Sequence, residues 1–118
     1  MIKTYSRRKL GRSSSHRKLL LRNLATSLIM NEKIITSYPK AKELQRFIEK
    51  IITIAKNTDF NAKREIARYI MTRKAKKKLF NILLQRFSQR KSGYTQIFKL
   101  EKTRRGDNAT LGLIKLIQ

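Results

Sequence analysis

Residues 39–56, PKAKELQRFIEKIITIAK, carry the clearest structural signal in this chain of 118 residues. Their apolar residues recur at the three- and four-residue spacing of one helical face. They are Ala41, Leu44, Ile48, Ile51, Ile52 and Ala55. Pro39 fits the first position of a helix, where the N–H that proline lacks would have no partner in any case. The pattern predicts an amphipathic helix from Pro39 to about Lys56 that buries one face in a core.

A second amphipathic helix is predicted upstream, over residues 15–30. Its apolar stripe consists of Leu20, Leu21, Leu24, Ala25 and Leu28. Basic and polar residues mostly fall off that stripe, which predicts a basic outer face. The three serines at 13–15 can each cap the start of this helix. Residues 1–12 have neither a helical nor a strand period, so we predict a basic N-terminal arm at 1–12 and a single domain at 13–118.

The remaining segments predict more helices and a small sheet. Residues 34–36 (IIT) suit a short edge strand, and two shorter helices are predicted around 62–70 and 72–87. In the second of these, Thr72 is a candidate cap, and Ala75, Leu79, Phe80, Leu83 and Phe87 are predicted to face inward. Residues 94–100 and 109–117 read as strands around a polar loop at 102–108, so we predict an antiparallel hairpin in which the last strand is central. The fold class is α+β, with about four helices packed against a small sheet that contains the C-terminal hairpin.

Composition excludes several functional classes. The chain contains no cysteine and one histidine, so it has no disulfide, no thiolate nucleophile and no multi-histidine metal site. Its longest unbroken apolar run is three residues, far short of a membrane span. The acidic residues are scattered without the spacing of an acid/base pair, and no glycine-rich phosphate loop is present. We therefore predict a non-enzymatic protein without a cofactor.

Net charge is the strongest functional indication. Thirty Lys and Arg residues against seven Asp and Glu residues give a net charge of +23. A chain this basic is normally held against a polyanion, and nucleic acid is the commonest one because phosphate neutralisation releases counterions. An anionic membrane surface is a weaker alternative, since the bulky apolar residues are committed to a core. A DNA-binding architectural or regulatory protein is the main alternative to an RNA-binding one.

Positive charge is concentrated in three places. No acid precedes Glu32, whereas eight basic residues do: Lys3, Arg7, Arg8, Lys9, Arg12, Arg17, Lys18 and Arg22. Such an acid-free start is also typical of organellar transit peptides. The second concentration is Arg73, Lys74, Lys76, Lys77 and Lys78, at the start of a predicted helix. Positive charge there opposes the helix dipole, which indicates that an anion binds nearby.

The third concentration is the adjacent pair Arg104 and Arg105 in the hairpin loop. These arginines are either ordinary turn residues or a fork for phosphate, and the sequence favours neither reading. His16 is likewise either a nucleotide contact or a solvated side chain. Tyr94, beside Gly93, could stack on a base, but its residue context favours a core or sheet role.

Four short blocks resemble the motifs of a known family, in the same order. They are Lys9-Leu10-Gly11-Arg12 with Ser15-His16-Arg17-Lys18 and Arg22-Asn23-Leu24; Pro39-Lys40-Ala41-Lys42-Glu43-Leu44; Gly93-Tyr94-Thr95; and Arg105-Gly106-Asp107-Asn108-Ala109. In these blocks the chain resembles the bacterial-type family seventeen of large-subunit ribosomal proteins, over about residues 7–118. Because the resemblance begins by Lys9, the arm is predicted to belong to the mature domain and not to a transit peptide.

The resemblance implies a structural protein that binds large-subunit ribosomal RNA near the exit of the nascent-chain tunnel. It implies neighbouring ribosomal proteins as further partners, no membrane and no small-molecule substrate, in a cytoplasmic ribosome or that of an organelle. The RNA-facing residues carried over by position are Lys9, Arg12, Ser15, His16, Arg17, Lys18, Arg22, Asn23, Lys40, Lys42, Tyr94 and Arg105. The charge clusters add Arg7, Arg8, Arg73, Lys74, Lys76, Lys77, Lys78 and Arg104 to the predicted RNA-binding set.

The chain departs from the family pattern in two places. It opens Met1-Ile2-Lys3-Thr4-Tyr5 instead of with a Met-Arg-His start, so contacts by the first six residues are not carried over. Ser92 stands where the family often has a glycine, and Gln96 where it often has an arginine. Gln96 in place of that arginine removes one expected phosphate contact.

Overall fold

The computed structural model describes residues 14–57 and 60–117. Its helical segments are α1 (Ser14–Asn31), α2 (Tyr38–Ala55), α3 (Phe60–Tyr69), α4 (Arg73–Lys78), a π-helical turn (Leu79–Leu83) and α5 (Leu84–Arg86). Its strands are β1 (Lys33–Ser37), β2 (Thr95–Thr103) and β3 (Thr110–Leu116). The predicted α+β class is therefore confirmed. The predicted arm, with Arg7, Arg8, Lys9 and Arg12, lies outside the described residues, as does the serine at 13.

Helix α2 is the centre of the fold. All of its predicted stripe residues are buried, from Ala41 to Ala55, at 0–1% exposure. The helix contacts α1, α3 and each of the three strands. Full burial of each Ile or Leu side chain is worth about 1.5–3 kcal/mol, so the four such residues of this stripe contribute about 6–12 kcal/mol to folding.

The three strands form one antiparallel sheet in the order β1-β3-β2. The predicted edge strand, central strand and C-terminal hairpin are all confirmed. Ile114 of β3 pairs with Ile34 of β1 and with Ile97 of β2, and these three side chains face the helices. Gly112 lets β3 approach α2 closely, because a Cβ there would lie 3.2 Å from Cδ1 of Tyr38.

The predicted helix at 72–87 is observed, but it is interrupted by the π-helical turn. Backbone angles stay helical through Lys78, Leu79, Leu83 and Leu84, so α4, the turn and α5 form one continuous rod. Its fully buried residues are spaced by four: Ala75, Leu79, Leu83 and Phe87. A stripe spaced by four drifts around a helix of 3.6 residues per turn, and one wider π turn brings it back to the core. Thr72 occupies the cap position, but its side chain makes no capping hydrogen bond.

Helix α1 is only partly buried, which differs from the prediction. Ala25, Leu28 and Ile29 are fully buried, whereas Leu20, Leu21 and Leu24 are half-buried and Leu19 is 48% exposed. The second half of α1 is covered by the other elements, and the first half extends beyond them. The predicted stripe therefore holds for the C-terminal turns, while its N-terminal leucines are available to line a surface groove.

Glu49 fixes the start of β2 against α2. Its Oε1 accepts hydrogen bonds from the backbone N–H of Tyr94 (2.8 Å), the backbone N–H of Thr95 (3.2 Å) and the hydroxyl of Thr95 (3.1 Å). One carboxylate oxygen on the central helix thus satisfies donors at the point where the chain enters the sheet. The turn just before it takes its positive φ at Gly93, at 70°.

Candidate RNA interface

The first turns of α1 place three predicted RNA-binding residues along one groove. This groove, of about 340 Å³, lies between α1, α2 and α3. Arg17, Lys18 and Arg22 line it from α1. Arg17 and Arg22 are half-buried and Lys18 is exposed. Long basic side chains in this setting typically lay their apolar stems along the protein and keep their charged ends in solvent.

Three further cations line the same groove and were not predicted. They are Arg46 and Lys50 from α2 and Arg68 from α3. Arg46 and Lys50 are one helical turn apart on the polar face of α2, a spacing that was visible in the sequence. Arg68 joins them only because α3 packs against α2, which no local pattern indicates. The groove therefore collects six cations and one acid, Glu43.

The remaining predicted residues of α1 and α2 lie on nearby surface. Ser15, His16 and Asn23 are exposed on α1. Lys40 and Lys42 are half-buried in the first turn of α2, where the Lys42 ammonium lies 5.4 Å from the centre of the Tyr38 ring. Lys99 of β2 lies 5.5 Å from the same ring, so this end of α2 is a second cationic surface.

The α4 cluster divides into exposed and engaged side chains. Arg73, Lys74 and Lys77 are exposed, and Lys76 is half-buried. Lys78 instead contacts the end of α1: its Nζ lies 3.1 Å from Oε2 of Glu32 and donates to the carbonyl of Met30 at 3.1 Å. Lys78 thus stabilises the fold. The exposed side chains of this cluster, Arg73, Lys74 and Lys77, remain accessible to an anion.

Glu32 is held in place from two sides. It ends α1 with a left-handed φ of 66°, and its carboxylate pairs with Arg86 as well as with Lys78. These hydrogen bonds, from Arg86 first and Lys78 second, lower the pKa of Glu32 below its ordinary value of 4.5. The ion pairs tie the α1–β1 junction to the helical rod at 73–86.

Glu32→Gln is expected to lower the free energy of unfolding by about 1 kcal/mol at neutral pH, the upper end for partly exposed pairs. Because the folded pKa is depressed, the stabilisation is complete above the unfolded value and disappears as pH falls through the folded one. Urea unfolding of both chains at neutral pH and at pH about 3 measures this. An equal difference between the two chains at both pH values would contradict the assignment.

Arg104 and Arg105 differ in what they contact at the hairpin tip. Arg104 donates through Nε to Oδ1 of Asp107 at 3.1 Å and also pairs through its terminal nitrogen with the other carboxylate oxygen. This pairing, helped by the backbone N–H of Ala109, lowers the pKa of Asp107 to about 2. Arg105 is exposed at the tip of the same turn. The turn is therefore held by Arg104 and presents Arg105 outward.

Tyr94 requires a correction to the RNA-facing set. Its side chain is fully buried, with its ring centre 5.1 Å from that of Phe87. Its hydroxyl donates to the carbonyl of Lys91 at 2.9 Å. A ring with no exposed surface cannot stack on a base, so the resemblance misplaced this residue and the core reading from its context is the correct one.

The described residues offer little support for two other kinds of site. Within 14–57 and 60–117, no group of three or more His, Asp or Glu side chains is placed to hold a metal ion. No helix among those residues has the length and apolar character needed to cross a membrane.

Comparisons with known proteins decide the family. The family model described as Ribosomal protein L17 matches residues 20–117, which include most of α1 and every later element. The chain belongs to the ribosomal protein L17 family. This confirms the resemblance carried by the four sequence blocks. The matched range also includes Arg22, Arg46, Lys50 and Arg68 of the groove.

Relatives in the L17 family extend the match to nearly the whole chain. The large ribosomal subunit protein bL17 of Endomicrobium trichonymphae is 52% identical over 117 residues, which cover 99% of both chains. The protein of the same name from Aliarcobacter butzleri is 46% identical over 93% of this chain and 94% of its own. That from Thermus thermophilus is 44% identical over 96% of each chain.

Proposed function

We propose that the chain is a structural, non-catalytic protein of the large ribosomal subunit that binds large-subunit rRNA directly. The observation that carries this proposal is the convergence of six cations from three helices on one groove, with a single acid among them. A net charge of +23 in the whole chain supports a polyanionic partner. Membership of the L17 family, whose relatives are named as large-subunit proteins, supports ribosomal RNA as that polyanion.

Binding rests on RNA shape and backbone more than on base edges. The helices and the sheet form a rigid body whose exposed cations neutralise phosphates and release counterions. The faces that dock are the first turns of α1 with the groove, the exposed part of the α4 cluster, and Arg105 at the hairpin tip. The arm at residues 1–12 adds further cations, and residues 13–118 form the single RNA-binding domain. From the resemblance, the proposed location is near the exit of the nascent-chain tunnel.

The outer face of the sheet supports a protein neighbour as a second partner. Ile35, Leu113 and Phe98 are directly opposite one another across β1, β3 and β2. Ile35 is 61% exposed and Phe98 46% exposed. An apolar row of this kind is typical of a protein contact.

Lysine-reactive crosslinking of isolated large subunits tests this contact. It should join Lys33 or Lys115, which lie beside the row, to a neighbouring ribosomal protein. The absence of any crosslink from these two lysines to another protein would contradict the assignment.

Direct titration of the purified full chain tests the RNA proposal. The ligands are large-subunit rRNA, small-subunit rRNA and a DNA duplex, each measured by filter binding from low to high salt. We expect large-subunit rRNA to bind most tightly, and its advantage to persist at high salt, where non-specific phosphate binding is weak. Equal affinity for all three ligands, or preference for the duplex, would contradict the proposal and favour a DNA-binding architectural protein.

A further inference from the structure

The groove between α1, α2 and α3 has an apolar floor as well as a cationic rim. Phe47 of α2 and Tyr69 of α3 lie on it edge to face, with ring centres 5.6 Å apart and planes at 87°. Both rings are half-buried, so each keeps exposed surface. Leu21 of α1 and the buried Ile51 complete the floor.

Six cations and one buried acid, Glu43, line the groove together with these apolar residues, and we call the cations its rim. Arg17, Lys18 and Arg22 come from α1, Arg46 and Lys50 from α2, and Arg68 from α3. A flat ligand with one or more negative charges at its edge matches this arrangement, because its face would lie on one of the two perpendicular rings and its charge would meet the rim. The volume of about 340 Å³ lies in the lower part of the range of small-ligand sites, about 300–1,000 Å³.

We propose that this groove binds a single unpaired nucleotide of the RNA, with its base on the floor and its phosphates on the rim. The inference rests on the proposed rRNA binding and adds a specific subsite to it. A duplex cannot fill the groove in this way, because its bases are stacked inside the helix and only its backbone reaches the protein. An unpaired base can leave the stack and gain contact with aromatic side chains, which is how proteins commonly hold single-stranded RNA.

Crosslinking on the natural ligand tests the position of the base. The full chain is bound to large-subunit rRNA, irradiated with ultraviolet light, digested with ribonuclease and mapped by mass spectrometry. We expect nucleotide adducts at Phe47 or Tyr69. Adducts elsewhere on the chain with none on these two peptides would overturn the subsite and leave rRNA binding standing. A protein crosslink to Lys50 in intact subunits, with no nucleotide adduct in the groove, would assign the groove to a protein partner and also overturn it.

A pair of matched hairpin RNAs tests the preference for an unpaired base. One hairpin carries a single bulged nucleotide, and the other has the same stem fully paired. We expect the chain to bind the bulged hairpin about fivefold or more tightly, since stacking of one base on an aromatic side chain has an effect of that size. Tyr69→Leu should abolish this preference, because it removes a ring on which the unpaired base would stack.

Phe98→Leu is the matched control, since it removes an exposed aromatic ring that lies near a cation, 5.4 Å from the Lys115 ammonium, but on the sheet and outside the groove. This control should keep the preference for the bulged hairpin. Phe47→Leu provides a second groove variant should Tyr69→Leu lose its helical circular dichroism. Equal binding of the two hairpins by the unmodified chain would overturn the subsite. If the chain bound neither hairpin and also failed to bind large-subunit rRNA, the proposed function would be overturned as well.

Discussion

Replacing Arg17, Lys18 and Arg22 together by glutamine is expected to weaken binding to large-subunit rRNA by about 100-fold or more. Each charge-assisted hydrogen bond contributes about 1.5–3 kcal/mol, and 1.4 kcal/mol corresponds to a factor of ten in affinity. These three side chains lie together on the groove, so their contacts are lost at once. Filter binding across a salt series should also give a flatter salt dependence, by about two units of slope for three lost phosphate contacts.

The matched control removes the same charge from other faces. Lys33, Lys63 and Lys102 are exposed on β1, α3 and β2, and none of them lines the groove. Their triple replacement by glutamine should weaken binding far less than the α1 variant does. Equal losses for the two triple variants would show that net charge alone determines affinity, which would contradict a specific α1 face.

Tyr94→Ala is expected to lower the free energy of unfolding by about 3–5 kcal/mol, the usual cost of removing a large buried aromatic side chain. Small domains are stable by about 5–15 kcal/mol in total, so this is a large fraction. The variant loses the packing on Phe87 and leaves the carbonyl of Lys91 without its hydroxyl donor. Urea or thermal unfolding measures the change.

Tyr94→Phe separates the hydroxyl from the ring. It keeps the contact with Phe87 and should lose only about 1 kcal/mol, the value of one hydrogen bond. Under conditions where the variants are folded, both should bind rRNA as the unmodified chain does. Unchanged stability with weakened rRNA binding would contradict the core position and restore the reading of Tyr94 as a base contact.

Three of the seven acids bind partners within the fold. Glu32 joins the end of α1 to Lys78 and Arg86, Glu49 fixes the start of β2, and Asp107 holds the hairpin turn with Arg104. Seven acids are too few to pair one to one with most of the thirty basic residues. This distribution explains why a chain with strong self-repulsion can still position its strands and junctions.

Local periodicity predicted the elements in which the spacing of apolar residues determines which side chains are buried. The sequence therefore indicated the α2 stripe, the edge strand β1 and the hairpin of β2 and β3. The π-helical turn was missed because a stripe spaced by four resembles an ordinary helix. The role of Glu49 was not predicted, since its partners lie more than forty residues away and no local pattern reports them.

The candidate site was predicted only in part for the same reason. Charge runs indicated the α1 face and the α4 cluster, but Lys78 and Arg104 proved to have partners within the fold. The groove exists only after three helices pack together, so Arg46, Lys50 and Arg68 entered the site through tertiary structure. Tyr94 shows the opposite error, because a motif position carried over by resemblance does not state whether its side chain is exposed.

Sedimentation of a native lysate tests the central claim most directly. The chain is followed through sucrose gradients at low and high salt, with ribonuclease- and deoxyribonuclease-treated samples alongside. We predict that it sediments with the large ribosomal subunit, stays there at high salt and is released only by ribonuclease. Migration with DNA, or release by deoxyribonuclease alone, would contradict the account and assign the positive charge to a chromosomal partner.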